Sequence, residues 1–485
     1  MLYEMASPQV GFPKELANEI DYSIPAGVSS YQVKVVPSNL SQVQSSTQTL
    51  TASSTLQLNG TSSNVIFDIP AGQGKSVFLD PRFTTLNFRV NYEIVNTPTS
   101  AVITSAQLRS SGYAHFDRCY VQSQEGVILD DINLVGLVQD ALIQLEVDVA
   151  QRDAFALMYG FQFEGATANA LNSNQGHKLS GIDGTTVNAA ATAYYSYSMP
   201  LISSLIGKGA KKFFQIGATN KLQIVLQTAA IIPVSFVTGT ATTAATFRIT
   251  IDNISLNCCY VDVGMDGLKM LNKTGLQYYD GITYRVSSAT LPASTSGAVS
   301  LLTGLRGSSV RSIWSRFTEA STLSTAGCIN YIYDSKMPQA TSIAYNINGL
   351  LVPPNPVDLL HAPATAFSML QESNGSFDNY DFKSGMVPTQ WLIYVPGGTL
   401  ATDADKLISS NASAVASLAQ FMFGQNLEKI SKHGIMDGMN LQSGNTFLNM
   451  VLGNLNTNSV TVFFIAKMDI IYIHDTATGS ISVRM

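Results

Sequence analysis

Between Leu86 and Ile94 the side chains alternate without a break: Leu86, Phe88, Val90, Tyr92 and Ile94 are apolar, while Asn87, Arg89, Asn91 and Glu93 are polar. A period of two is the signature of a strand with one face buried and one face wet. Such a strand excludes a helix here, and with it the one nucleotide-binding reading the chain invites. The stretch "GQGKSVFLDP", Gly72 to Pro81, contains the Gly-Lys-Ser end of a phosphate-binding loop. That loop needs a Gly five residues before its second Gly and a helix starting at the Lys. The earlier position is Ile69, and after Lys75 the chain runs into the alternating strand. Lys75 is therefore expected in a turn between two strands, without a nucleotide.

Similar strands recur along the chain. In the first half they are "NVIFDI" (64–69), "FTTLNFRVNYEIV" (83–95), "RCYVQSQEGVILDD" (118–131), "KKFFQI" (211–216), "KLQIVLQT" (221–228) and "TFRITIDNISLNCCYVDV" (246–263). In the second half they are "LQYYDGITYRVSS", "SVRSIWSRFTEA", "CINYIYDS", "TSIAYNI", "QWLIYVP", "TFLNMVLGNL" and "SVTVFFIAKMDIIYIHD" (459–475). Helical spacing is clear only over Leu134, Leu137, Val138, Ala141, Leu142 and Leu145. Asp131 and Asn133 precede it as caps, and the helix is expected to plug one end of a barrel.

Residues 1–50 carry Pro8, Pro13, Pro25 and Pro37 and little periodicity, which reads as an extended N-terminal arm. "GMDGLKMLNKTG", 264–275, has three glycines and no clear period, and reads as a linker. Setting Tyr260 over Tyr472 aligns "ITIDNISLNCCYVDV" with "TVFFIAKMDIIYIHD", each a long strand preceded by another strand across a loop. The expected organisation is all-β: two consecutive jelly-roll β-barrels at 51–263 and 276–485, with a few short helices in loops.

Charged residues make up 12% of the 485, about half the usual share, yet 22 Phe and 20 Tyr argue against disorder. The surface is neutral and polar, which suits burial against copies of itself, because charge is depleted where protein meets protein. A net charge of −6 and the absence of a basic stripe argue against strong nucleic-acid binding. Lys208, Lys211 and Lys212, the densest basic cluster, read as an exposed turn. Cys119, Cys258, Cys259 and Cys328 are too few and wrongly spaced for a disulfide framework or a zinc site, and neighbours Cys258 and Cys259 fall on opposite strand faces. The N-terminus lacks a basic start and a long apolar run, so no secretion signal is expected; the apolar run 222–237 is broken by Gln223, Gln227 and Pro233, and no membrane span is expected.

Four stretches resemble the double jelly-roll major capsid proteins of tailless icosahedral viruses, the lineage of adenoviruses, large algal DNA viruses, virophages and polinton-like viruses. "GKSVFLDPRFTTLNFRVNYEI" is similar to the family's early strand pair. "YSMPLISSLIGKGAKKFFQIGATNKLQIVLQTA", 197–229, resembles its Pro-Leu, glycine turn and "L-x-I-x-L" strand near the end of the first roll. "FGQNLEKISKHGIMDGMNLQSGNTFLNMVLGNLN" resembles the late part of the second roll, and "FFIAKMDIIYIHDTATGSISVRM" the closing strand and turn of polinton-like members. The resemblance covers about 60–485. It implies a viral major capsid protein that assembles as homotrimeric, pseudo-hexameric capsomers into an icosahedral shell. The partners it implies are neighbouring capsomers, penton and minor capsid proteins and an internal membrane as a further candidate; the location is the virion, after synthesis in the host cytoplasm or nucleus.

No catalytic, cofactor-binding or metal-ligating residue is expected, and no cofactor. There is no G-x-S-x-G elbow, H-E-x-x-H pair or calcium loop, and His115, His177, His361, His433 and His474 are scattered. Asp130-Asp131 reads as a helix cap and Asp403 with Asp405 as a surface loop, each in preference to an acid–base pair or cation site. Sequons at Asn39, Asn59, Asn253, Asn272, Asn374 and Asn411 are assigned no function. Two rivals stay open: a β-rich adhesin or spike-like binding protein, and a β-sandwich carbohydrate-active enzyme. The first predicts fibre repeats or a secretion signal; the second predicts an aromatic-lined cleft, for which the chain offers only Trp314 and Trp391.

Overall fold

The computed structural model describes residues 44–51, 56–58, 62–69, 74–96, 103–108, 110–147, 155, 157–160, 191–230, 234–238, 246–271, 275–319, 333, 335, 338, 340–359, 361–375, 386, 391, 421–428, 437–442, 444–453 and 459–484. The first half contributes β1 (Gln44–Thr51), β2 (Leu56–Leu58), β3 (Asn64–Ile69), β4 (Val77–Asn96), β5 (Ile103–Leu108), β6 (Phe116–Ser123), β7 (Ile128–Asn133), helix α1 (Val135–Glu146), β8 (Ala191–Pro200), β9 (Leu222–Thr228), β10 (Val234–Thr238) and β11 (Thr246–Asp262). The second contributes α2 (Gly264–Leu271), β12 (Leu276–Leu291), β13 (Gly297–Leu302), β14 (Val310–Glu319), β15 (Ala340–Ile347), β16 (Leu350–Asp358), α3 (Pro363–Ser373), β17 (Met422–Asn426), β18 (Thr446–Leu452), β19 (Val460–Asp475) and β20 (Ser480–Arg484).

The alternation in sequence decides which side of each strand is buried. On β3, Val65, Phe67 and Ile69 are buried while Asn64, Ile66 and Asp68 are exposed. On β4, Leu86, Phe88, Val90 and Tyr92 point into the core. The first half stacks two antiparallel sheets, ordered β1-β11-β4-β8 and β3-β9-β6-β7, and β2 also pairs with β11. The second half stacks β12-β19-β14-β17 against β13-β18-β15-β16, with β20 pairing β19. Leaving aside β2, the ribbon β5–β10 and β20, both halves obey one rule. Strands one, eight, three and six of each half form one sheet, and two, seven, four and five form the other. That order is the jelly roll, and the chain contains it twice.

The register relates the two halves. Asp262 at the end of β11 sits opposite Gln44, the first residue of β1, and Asp475 at the end of β19 sits opposite Leu276, the first residue of β12. Tyr260 lies two residues before its strand end and Tyr472 three, so pairing these tyrosines is one residue away from the pairing set by the ladders.

Several expectations are corrected. "KKFFQI" is not a strand: it lies in a winding segment, 201–221, whose ladder pairing with β4 is the isolated bridge between Leu79 and Phe214. The adjacent Phe213 and Phe214 there pack on two different neighbours, Phe213 on Phe78 and Val261 and Phe214 on Tyr279 and His474, rather than on one ladder face. The glycine-rich 264–275 stretch starts with a helix, α2, and residues 44–50 of the expected arm belong to β1. Helix α1 has no side-chain cap; Leu134 precedes it with φ 48°, and Asp130 and Asp131 lie in β7. Residues 1–43, most of "CINYIYDS" and most of "QWLIYVP" lie outside the described residues. Lys75 and Ser76 form the turn before β4, where Gly74 takes φ 111° and its carbonyl accepts from the Val77 N–H at 3.1 Å.

Helix α1 does not plug a barrel end. It lies between the halves, buried over every residue from Val135 to Leu145. The backbones of the two halves also meet directly: the Ile282 N–H donates to the Gly209 carbonyl at 2.9 Å, and Ala210 pairs with Gly281. A Cβ on Gly281 would lie 2.3 Å from the Ser204 carbonyl oxygen, so only glycine permits this approach. Gly281→Ala is expected to cost about 1–3 kcal/mol through forced separation of the two backbones, read as a lower thermal midpoint than that of wild type.

Candidate functional site

The side chains most constrained by their surroundings gather where the two rolls meet. Asp130, on β7 of the first roll, is buried and accepts three hydrogen bonds: from the Ser204 N–H at 2.7 Å, Thr283 Oγ1 at 2.7 Å and Ser203 Oγ at 3.2 Å. Thr283 belongs to β12, so one carboxylate ties three segments and both rolls. Ser204 Oγ also lies 2.5 Å from Tyr472 Oη of β19. Burial first, and the Asp130 charge second, hold the Tyr472 hydroxyl well above the usual phenol range. Next door, Asp131 takes a two-pronged pair from Arg118 at 2.7 and 2.8 Å, and its carbonyl accepts from Arg285 Nη1 at 2.9 Å. Asp130 and Asp131 are thus junction residues and not the expected helix cap.

A serine beside a carboxylate suggests nucleophilic chemistry, which needs a base to take the hydroxyl proton. Among the described residues no histidine hydrogen-bonds to Ser203, Ser204 or Asp130.

The second cluster is a buried ion pair. Arg316 of β14 has a side chain at 0% exposure and donates from Nη1 to Asp140 Oδ2 of α1 at 2.7 Å. The same carboxylate accepts from Ser110 Oγ at 2.7 Å and Gln144 Nε2 at 2.8 Å, and Arg316 Nη2 donates to the Tyr333 carbonyl. At the end of α1 the Leu145 carbonyl accepts from Asn374 Nδ2, the residue capping α3, at 3.0 Å. The helix is therefore bonded to the second roll at its middle and at its end.

His474 of β19 forms a third cluster. Phe214 from the first roll and Tyr279 of β12 pack on its ring with centroids at 5.7 and 6.2 Å. Neither ring nitrogen makes a hydrogen bond, and burial pulls the imidazole down to about 4, against a weaker pull from the nearby Ala218 backbone and Asp475.

The remaining sequence candidates serve the fold. Lys208 pairs with Glu146 at 2.9 Å, and Lys211 and Lys212 both face Asp280 of β12, so the basic cluster is matched by acids of this chain, two of its three ion pairs reaching across the junction. His115 is a core residue whose Nδ1 donates to the Gly112 carbonyl while Nε2 accepts from Tyr92 Oη, both at 2.8 Å. His361 is exposed beside Asp358. Cys119 and Cys258 are buried, and burial pushes the Cys258 thiol up to about 12. Asn253 is exposed at a bulge with φ 51°. His177, His433, Cys328, Asp403 and Asp405 lie outside the described residues. Among the described residues no three His, Cys, Asp or Glu side chains gather as a metal site, and no helix is long and apolar enough to cross a membrane.

Sequence reading missed Asp140 and Arg316. The available signal was a carboxylate inside the apolar run of α1 and a guanidinium inside "SIWSRF": each is tolerable on a buried face only with a partner.

No protein-family model and no curated protein matches this chain. Solved structures do. A chain in the 3.5 Å cryo-EM structure of the Sputnik virophage aligns with TM-score 0.59 at 12% identity, covering 93% of this chain and 90% of that one. The crystal structure of the mavirus major capsid protein aligns at 0.51 and 10%, covering 94% and 93%. The quasi-atomic model of the PBCV-1 virus capsid aligns at 0.51 and 10%, covering 93% and 98%. At these identities the shared property is the fold, and this chain has it: a double jelly roll.

Two outcomes are expected. Asp140→Ala leaves Arg316 charged, buried and unpaired, and should cost about 3–5 kcal/mol, whereas Asp140→Leu with Arg316→Met should recover much of that in the thermal midpoint. For His474, the folded value near 4 lies below the ordinary 6.5, so the unfolded chain binds the proton first. Its share of stability is complete above about pH 6.5 and falls as pH drops, reaching a loss of about 3 kcal/mol below pH 4. His474→Phe should flatten the midpoint-against-pH curve over that window relative to wild type.

Proposed function

We propose that this chain is a viral major capsid protein whose copies assemble as homotrimers into pseudo-hexameric building blocks of an icosahedral shell. The observation that carries this reading is the presence of two like jelly rolls, locked side by side by a buried polar junction, in a chain that aligns over 94% of its length with the mavirus major capsid protein. Three copies bring six similar barrels together, a near-hexagonal unit that tiles a surface. Closely paired sheets hide most strand edges, which keeps such a unit from pairing indiscriminately. A surface poor in charge favours broad contacts between copies.

Neighbouring capsomers are the principal partners on this reading, with penton and minor capsid proteins at special positions and a membrane layer beneath the shell as a further candidate. The virion is the site of action. A net charge of −6 supplies little counterion release, so cargo is held mainly by other components.

Light scattering on the purified protein is expected to give a mass near three times 52.0 kDa that persists in high salt, with weak DNA binding that shows no sequence preference. A stable monomer at micromolar concentration, or nanomolar DNA binding at physiological salt, overturns the reading.

A further inference from the structure

One contact between the rolls is built so that a proton can release it. His474 is the last residue but one of β19, which finishes opposite Leu276, the first residue of β12. Across the ladders it stands opposite Gln277 of β12 and Ile481 of β20, so its ring has a strand on either side. Residues 213–220 of the first roll close over it: the Phe214 ring lies against the imidazole at 5.7 Å and meets Tyr279 edge-on at 5.0 Å. Two backbone donors of that segment complete the contact. The Gln215 N–H reaches Tyr279 Oη at 3.1 Å, and the Asn220 N–H reaches the Gly479 carbonyl at 3.3 Å.

The polar atoms enclosed there are poorly served. Both His474 nitrogens, Gln277 Nε2 and Gln215 Oε1 are buried and make no hydrogen bond. Each gave up water when the contact closed and gained no partner, so the rings and two backbone bonds hold it against its own polar groups. The other contacts between the rolls differ. Asp130 and Asp140 are met by donors, and Ile282 bonds to Gly209 through the backbone.

Charge able to neutralise a protonated ring is sparse. Residues 213–219 include no titratable side chain. β12 offers the Tyr279 phenol, held above its ordinary range by burial, and Asp280, already engaged by Lys211 and Lys212. β20 offers Arg484, which sits opposite Ile471 and adds a like charge. β19 offers Tyr472, whose hydroxyl meets Ser204, and Asp475, engaged by the Ala477 N–H and Thr478 Oγ1. Among the described residues no carboxylate hydrogen-bonds to the imidazole. An imidazolium in this place is stabilised chiefly by reaching water.

We infer that His474 is a proton-operated latch: in acid, residues 213–220 lift from β12, β19 and β20, and this part of the junction opens while the Asp130 and Asp140 contacts hold. The inference concerns the folded chain by itself and stands apart from the capsid reading.

Amide hydrogen exchange of the intact protein tests it, with rates corrected for the intrinsic effect of pH. Opening frees the Gln215 and Asn220 N–H groups. With the ring titrating near 4 when closed and at 6.5 when open to water, their exchange should rise about 20-fold from pH 7 to pH 5 and about 100-fold by pH 4. The Ile282 and Val138 amides, bonded to Gly209 and Leu134, should keep their protection. His474→Gln and His474→Phe cannot take up the proton and should each abolish the rise; two replacements are used so that a failure of one to fold leaves the other. Unchanged exchange of Gln215 and Asn220 in wild type, or an equal rise in a variant, overturns the latch. Loss of protection at Ile282 and Val138 along with them also overturns it, because acid then unfolds the chain as a whole.

Discussion

The structure depends on covering the outer side of the β12-β19-β14-β17 sheet. That side carries Trp314, Ile465 and Arg316, all at 0% exposure, and the two apolar side chains among them could not face water without loss. Two helices cover it: α3 from its own roll, through Ser373 Oγ accepting from Trp314 Nε1 at 2.8 Å, and α1 from the other roll, through Asp140. The second roll is consequently incomplete without the first. A chain with two separable barrels would show a polar outer sheet on each, as the first roll does with Arg89, Asp252, Arg248 and Glu93.

Buried charge at such a junction contributes orientation more than stability. Desolvating Arg316 and Asp140 costs nearly what their attraction returns, and an apolar pair of the same volume would hold as well. An apolar contact slides, however, whereas Asp140 accepts from Ser110, Gln144 and Arg316 at once and is satisfied in one placement of α1 only. Asp130 acts in the same way some turns of chain earlier, with Ser203, Ser204 and Thr283 as its donors. The glycine contact between Gly281 and Ser204 adds a steric condition, since the backbones approach only without a Cβ. Together these fix the angle between the rolls, which is the quantity a repeating shell would need to control.

The two rolls share a strand order and differ in what their outer surfaces can meet. Duplicating a fold duplicates its ladders, because register is set by alternation and edge pairing. It does not duplicate the neighbours. β4 keeps one-sided burial over residues 86–93, although residues 77–81 are buried without a break, and β14 in the same topological place is buried on both sides. The difference lies in the residues between strands, above all α1 and the segment 201–220, which leave the first roll and finish the second.

Much of the strand content was legible from local pattern. Period two marked β3, β4, β9, β11, β12, β18 and β19 because one-sided burial writes itself into every second residue, and spacings of three and four marked α1. The strands that escaped notice, such as β1, β8 and β16, are edges whose Ser, Thr, Tyr or Pro content answers to solvent and not to a core. The apolar residues of 211–216 also misled, since Phe213 and Phe214 face two different neighbours without a ladder. Sequence could show that Asp130, Asp140 and Arg316 were charges among apolar residues; it could not show whether each was a cap, a site or a partner. A buried charge is explained only by what lies against it, and here that partner comes from more than 150 residues away: Thr283 for Asp130 and Arg316 for Asp140. Local pattern determined two layered β units, and tertiary packing alone decided that they form one interlocked body, because the contacts joining them have no period along the chain.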